Sequence, residues 1–84
     1  MRELLVAFEN FEDARSLHEY LRENLEFPDH YGCNRDALYD ELTSLPEETV
    51  LYVIPGGTDF EAGFMKVFRD AEKAEEKLTV RVYD

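Results

Sequence analysis

Three short apolar runs, separated by amphipathic helical segments, constrain the fold of this chain more than any other feature. The runs cover residues 4–8, 49–54 and 78–83 and are rich in aliphatic, β-branched and aromatic side chains, which favour strands. Strands that alternate with helices form parallel sheets through right-handed crossovers. The sequence therefore predicts an α/β fold, a small three-stranded parallel sheet with helices packed on it. Because residues 4–8 are continuously apolar, we expect both faces of the first strand to be covered.

The chain between the first and second runs carries two apolar stripes at helical spacing. The first stripe predicts a helix from about residue 11 to residue 24, with Asn10 as its N-cap. The second predicts a shorter helix that ends before Pro46, since the residue before a proline disfavours helical geometry. This second stripe consists of Leu38, Leu42 and Leu45.

A third and longer helix is predicted between the second and third runs. A Pro-Gly-Gly turn at residues 55–57 precedes it, and Thr58 and Glu61 have the spacing of a capping box. Its apolar stripe consists of Phe60, Phe64, Val67, Phe68 and Ala71. Because the 84 residues contain no linker or internal repeat, we expect a single domain over residues 1–84.

The charge of the chain limits the partners that it can bind. Its 20 acidic and 9 basic residues give a net charge of −11, which opposes binding to nucleic acid, phosphate or an anionic membrane. Residues 1–48 hold 13 acids and 4 bases, a balance of −9, whereas residues 49–84 hold 7 and 5, a balance of −2. The sequence therefore predicts a cationic protein partner and places the binding surface in the first half.

The single cysteine, Cys33, allows no internal disulfide and is typical of a protein in a reducing compartment. The apolar start of the chain is too short for a signal peptide, and no run reaches membrane-spanning length. We therefore expect a cytoplasmic protein. We also expect a monomer; the alternative is a disulfide between two chains through Cys33.

Two aspartates on the second predicted helix indicate a binding surface. Asp36 and Asp40 lie four residues apart, a spacing at which like charges cost an exposed helix about 0.2–0.5 kcal/mol. Helical geometry directs both away from the leucine stripe and places Tyr39 at the border of the acidic side. An aromatic ring with a polar tip suits a partner surface. The alternative is an ordinary solvated face, on which the helix dipole favours Asp36 near the N-terminus.

Three other readings of the polar residues are weaker. Paired aspartates could perform acid and base catalysis, but two carboxylates on the outside of one helix have no cleft to separate their pKa values. His30 and Cys33 could form a nucleophilic pair, or bind a metal with Asp36, but no second cysteine supports a zinc site. His18, inside the first helix, is expected to be structural. We therefore predict that the chain is not an enzyme and has no cofactor or metal.

The order and spacing of these residues resemble the barstar family of ribonuclease inhibitors. The resemblance is carried by Leu17-His18, by Leu25-x-x-Pro28, by Tyr31-Gly32-x-Asn34-x-Asp36-Ala37-Leu38-x-Asp40-x-Leu42-Thr43 and by Val67-Phe68-Arg69-Asp70-Ala71. It implies a barstar-like fold and an intracellular inhibitor that covers the active-site cleft of a cationic ribonuclease with an acidic helix and the preceding loop. Between the second strand and the long helix the chain is several residues shorter than barstar, at the place where the family has an extra short helix.

The resemblance also ranks the partner-binding residues. It implies that Asp40 is the central anchor and Asp36 its neighbour, that Asn34 contributes from the start of the helix, and that Asp70 replaces a glutamate of the family. The full predicted set is Asp40, Asp36, Tyr39, Asn34, His30, Gly32, Arg35 and Asp70.

Four positions depart from the family pattern. Tyr39 stands in place of a tryptophan and His30 in place of a tyrosine, so an aromatic ring is kept at each. Arg35 places a cation where the family has an apolar contact, and Cys33 places a thiol where it has an acid. The alternative function is therefore an acidic interaction or regulatory module of the same fold that binds a different basic protein.

Overall fold

The three predicted strands form one parallel sheet in the computed structural model, which describes residues 1–83. The strands pair in the order β1-β2-β3. The elements are β1 (Arg2–Ala7), a 3-10 turn (Phe8–Asn10), α1 (Ala14–Leu25), α2 (Arg35–Leu42), β2 (Thr49–Ile54), α3 (Glu61–Ala74) and β3 (Leu78–Val82). The predicted α/β fold, a three-stranded parallel sheet with helices packed on it, is confirmed.

The sheet buries one face and leaves the other open. Leu4 pairs with Leu51, which pairs with Val80, and all three are buried. The alternate residues point the other way, and Leu5 is 50% exposed. The prediction that both faces of the first strand are covered is therefore wrong. The strand order explains the error, because two right-handed crossovers that advance in the same direction place their helices on the same side of a sheet.

A single apolar core fills the space between the sheet and the helices. The buried apolar residues of the helices are those of the predicted stripes: Leu17, Leu21 and Leu25 on α1, Leu38 and Leu42 on α2, and Phe64, Val67, Phe68 and Ala71 on α3. Phe60, predicted as part of the last stripe, precedes α3 and is only half-buried. The long side chains that are fully buried include Phe8 and Phe68. Leu45 is also buried, although α2 ends three residues earlier, at Leu42.

The start of α1 differs from the prediction. The helix begins at Ala14, and its N-cap is Asp13, whose carboxylate accepts a hydrogen bond of 2.8 Å from the Ser16 N–H. Asn10 instead closes the 3-10 turn. Phe11 has extended backbone angles and packs its ring against that of Tyr20, with the centroids 5.0 Å apart. This contact keeps the chain extended where a helix was expected.

The capping box predicted at the start of α3 is also absent. The N-cap position is Phe60, with no side-chain capping bond. The Glu61 carboxylate turns back to accept hydrogen bonds of 2.9 and 3.0 Å from the N–H groups of Gly56 and Gly57. Gly57 has a φ of 75°, which favours glycine. Within the described residues, the shortened segment from β2 to α3 forms turns and no extra helix.

Candidate functional site

The N-terminus of α2 is fixed by its capping residue. The Asn34 side-chain oxygen accepts a hydrogen bond of 2.8 Å from the Ala37 N–H, which satisfies one of the free donors of the first turn. Cys33, directly before the cap, is half-buried and has a φ of 52°. This left-handed geometry is uncommon for a side chain that is not glycine. It turns the chain sharply from the loop into the helix.

The loop before α2 is attached to the core through Tyr31. Its hydroxyl lies 2.7 Å from Nδ1 of His18, and both side chains are buried. The Tyr31 ring also packs against Phe27, with the centroids 5.0 Å apart. His30 and Gly32, on either side of Tyr31, are exposed. The anchored tyrosine therefore holds the two neighbouring residues of the predicted site at the surface, and His18 is structural, as expected.

Burial sets the protonation of this pair, because it lowers the pKa of His18 and raises the pKa of Tyr31. The folded protein therefore holds His18 neutral at a pH where the unfolded chain, with a histidine pKa of about 6.5, takes up a proton. Linkage makes the folded state lose stability as the pH falls below that value.

The variant His18→Asn removes the buried imidazole. We expect the wild type to lose more free energy of unfolding than this variant when the pH is lowered from about 7.5 to about 5.5, a range that spans the unfolded histidine pKa. Urea unfolding at both pH values measures the difference. Protonation elsewhere affects both proteins alike, so subtraction isolates this ring. A difference that does not change with pH would contradict the prediction.

The outer side of α2 presents two free carboxylates. Asp36 and Asp40 are exposed, whereas Leu38 and Leu42 on the opposite side are fully buried. Within residues 1–83, neither carboxylate accepts a hydrogen bond or forms an ion pair. Tyr39 is 37% exposed, as expected for a residue at the border of the acidic side. The acidic side of α2 is therefore available to cationic groups of a partner.

A groove of about 290 Å³ between α2 and α3 brings distant parts of the sequence together. We call it the α2–α3 groove; it is lined by Arg35, Asp36, Tyr39, Gly63, Lys66, Val67 and Asp70. Asp70 is half-buried and pairs with Lys66 at 3.3 Å. Four of the eight predicted partner-binding residues thus meet in one groove, and Asp40 lies one helical turn after Asp36. Asn34, Gly32 and His30 precede α2 in the chain.

The predicted partner-binding set lacks three residues of this groove, Gly63, Lys66 and Val67. No local signal identifies them, because they join the site only through the packing of α3 on α2. A larger groove, of about 350 Å³, lies beside the ion pair of Arg2 and Glu26. It contains none of the predicted residues, so its size is no guide to the binding surface.

Comparison with known proteins identifies the family of this chain. Residues 1–84 match the family model described as Barstar (barnase inhibitor). The chain belongs to the barstar family. The chain is also similar to the protein of Bacillus subtilis (strain 168) named "Putative ribonuclease inhibitor YrdF", with 32% identity over 83 residues, covering 93% of this chain and 90% of that protein.

The comparison confirms the resemblance that the sequence motifs indicated. It also confirms that this barstar-family chain belongs among inhibitors and not enzymes. No helix within residues 1–83 is long and apolar enough to span a membrane. In the same part of the chain, no three histidine, cysteine, aspartate or glutamate side chains are grouped as metal ligands.

Proposed function

We propose that this barstar-family chain is a cytoplasmic, monomeric inhibitor of a cationic ribonuclease. The acidic side of α2 and the loop before it would cover the active-site cleft of the enzyme, so that RNA cannot enter. The observation that carries the proposal is a pair of exposed carboxylates on a helix whose opposite side is fixed in the core. Neither carboxylate has a partner among residues 1–83. Membership of a family described as barnase inhibitors supports it.

The chemistry of inhibition follows from the substrate. A ribonuclease binds the phosphates of RNA with arginine, lysine and histidine side chains, and carboxylates can occupy the same positions. Asp40 is proposed as the central anchor. Asp36, one helical turn earlier, lines the α2–α3 groove and is proposed as its neighbour in the contact. Charge-assisted hydrogen bonds from a guanidinium to a carboxylate are about twice as strong as neutral ones. The inhibitor would thus use the recognition groups that the enzyme keeps for its substrate.

The remaining contacts are proposed to come from the edges of this surface. Tyr39 and His30 offer exposed aromatic rings. Asp70 adds a carboxylate from α3, and Asn34 and Gly32 let the enzyme approach the start of α2 closely. Because the Asn34 cap and the buried Tyr31 already hold this region in place, little conformational entropy is lost on binding.

A second candidate function is supported by Arg35. The side chain places a cation among the acids of the α2–α3 groove, where the family has an apolar contact. An interaction or regulatory module of the same fold, bound to a different basic protein, would account for that change. The two candidates differ in their partner and not in the surface that they use.

Inhibition assays distinguish the two candidates. The test uses purified extracellular ribonucleases of basic isoelectric point from the organism that carries this chain, together with a pull-down from its cells. We expect one of these enzymes to be captured and to lose RNA-cleaving activity at stoichiometric inhibitor. If the protein captures a basic protein without nuclease activity and inhibits none of the ribonucleases, the second candidate is correct.

Salt should slow the formation of the inhibited complex. The net charge of −11 steers a cationic enzyme toward the inhibitor, and electrostatic steering raises association rates about tenfold or more at low ionic strength. Stopped-flow association at about 0.02 M and about 0.5 M salt should therefore show a rate at least about tenfold lower at the higher concentration. A rate constant that does not change with salt would contradict steering.

A further inference from the structure

Arg35 has an unusual position in the acidic surface. Its guanidinium lies against Gly63 of α3: a Cβ atom built on Gly63 would be 2.5 Å from Nη2 and 2.7 Å from Cζ of Arg35. Any larger residue at position 63 would therefore displace the guanidinium. Arg35 crosses from the first residue of α2 to α3 because a glycine leaves room for it.

Glycine at this place has a cost for the free protein. Gly63 is the third residue of α3, and a glycine inside a helix is less stable than an alanine by about 0.5–1 kcal/mol. Its backbone has no positive φ that would require glycine, since Gly57 is the glycine with that geometry. A side chain at position 63 would disturb the position of the Arg35 guanidinium.

The exposed guanidinium lies against Gly63 and, within residues 1–83, has no anionic partner. Asp36 and Asp70 line the same groove, yet within residues 1–83 Arg35 forms no ion pair or hydrogen bond. Asp70 pairs with Lys66 instead. Arginine presents its donors in a rigid planar fork that matches the two oxygens of a carboxylate. That fork lies in the groove, and no carboxylate of the described part of the chain occupies it.

Simple electrostatics makes this arginine unfavourable for the proposed function. A cation that faces a cationic partner is repelled, and like charges brought together in an interface cost several kcal/mol. Removing Arg35 should then improve binding, unless the partner has an acid opposite it. A carboxylate on the edge of an otherwise basic cleft would change the sign of this contact.

We propose that Arg35, positioned by Gly63, is a specificity-determining residue that selects a partner with a carboxylate facing the α2–α3 groove. The proposal rests on the proposed function, because it concerns the same surface and the same ribonuclease. It adds the chemistry of the partner: a basic cleft for Asp36 and Asp40, and an acidic side chain beside it for Arg35. A ribonuclease with the cleft but without the acid would be excluded by repulsion.

The test compares inhibition constants of wild type and Arg35→Ala against the basic ribonuclease that the wild type inhibits. Loss of a charge-assisted hydrogen bond should raise the inhibition constant about tenfold or more. An unchanged or lower constant for Arg35→Ala would overturn the proposal. If Asp40→Ala abolishes inhibition in the same assay while Arg35→Ala improves it, the proposed function stands and this inference falls. If the wild type inhibits no ribonuclease, both fall.

A double-mutant cycle tests the role of Gly63. The variant Gly63→Ala should fold with unchanged or higher thermal stability, because the guanidinium can move aside and alanine favours a helix. It should nevertheless weaken inhibition, and it should have no further effect when Arg35→Ala is already present. Equal weakening in both backgrounds would show that position 63 acts by shape alone, and would overturn the positioning role.

The variant Arg35→Lys identifies the partner group directly. A carbodiimide joins a lysine amine to a carboxylate in contact with it, forming an amide with loss of water. Mass spectrometry of the complex should find position 35 joined to an aspartate or glutamate of the ribonuclease. A cross-link through Lys66 and none through position 35 would place the carboxylate elsewhere and overturn the proposal.

Discussion

Replacing Asp40 with alanine should weaken the complex with the partner ribonuclease by about 2–5 kcal/mol, the cost of truncating one member of a buried, hydrogen-bonded charge pair. In the free protein the Asp40 carboxylate is exposed and makes no bond within the described residues, so its removal should leave the fold intact. On binding it loses water and gains cationic donors. The alanine variant leaves those donors of the enzyme buried and unpaired.

The inhibition constant, measured by titration against RNA cleavage, reports this loss, and thermal unfolding of the free variant checks the fold. The matched control is Glu23→Ala, which removes one exposed carboxylate from α1 and makes the same change in net charge. Glu23→Ala should alter the association rate slightly and leave the dissociation rate unchanged. If the two variants lose equal affinity, only the total charge of the inhibitor matters, and Asp40 is not an anchor.

Replacing Leu38 with alanine should lower the free energy of unfolding by about 2–5 kcal/mol. Leu38 is fully buried in the core between α2 and the rest of the protein. Alanine removes three carbon atoms from a packed environment and leaves a cavity that the neighbours fill only in part. Because a small domain has a total stability of about 5–15 kcal/mol, urea denaturation should show a much lower midpoint at an unchanged slope.

The control for this variant is the neighbouring residue. Tyr39 is 37% exposed, so Tyr39→Ala should change the free energy of unfolding by no more than about 0.5 kcal/mol, as is usual for a surface position. Its effect on inhibition should be larger, since the ring lines the α2–α3 groove. Of these two adjacent substitutions, Leu38→Ala is therefore expected to lower stability, and Tyr39→Ala is expected to weaken binding. A similar loss of stability for both would mean that α2 packs differently.

The strands and the buried stripes of the helices could be predicted from the sequence because they depend on local periodicity. Leu17 and Leu21 lie four residues apart, as do Phe64 and Phe68, and this spacing indicates which side of each helix faces the core. The strand register follows the same rule with a period of two. These patterns need no knowledge of what each element packs against.

The caps and the open face of the sheet depended on information outside those patterns. Asn10 and Asp13 are both good capping residues, and the contact of Phe11 with Tyr20 decided between them. The Glu61 carboxylate can accept hydrogen bonds from N–H groups at the start of its helix or from those of the glycine turn. In the structure it accepts from the glycine turn. The open face results from the order of the strands, which no apolar run can show.

The same limit applies to the candidate site. Asp36, Tyr39 and Asp40 lie on one helix, so their common side follows from 100° of rotation per residue. The approach of Asp70 to that helix required the packing of α3 and was expected only from the family resemblance. No local pattern distinguishes Gly63 in the sequence, because the guanidinium of Arg35 occupies the space beside it only in the folded protein.

The one-sided sheet gives the molecule a second surface that is independent of the first. The helices lie on one side of the sheet, with Asp36 and Asp40 facing outward from α2, and residues such as Leu5 and Thr79 lie on the opposite, uncovered face. A dye, a tether or a fused protein attached at Thr79 would have the whole core between it and the acidic side of α2. Immobilisation through this face would leave the acidic side of α2 directed toward solution.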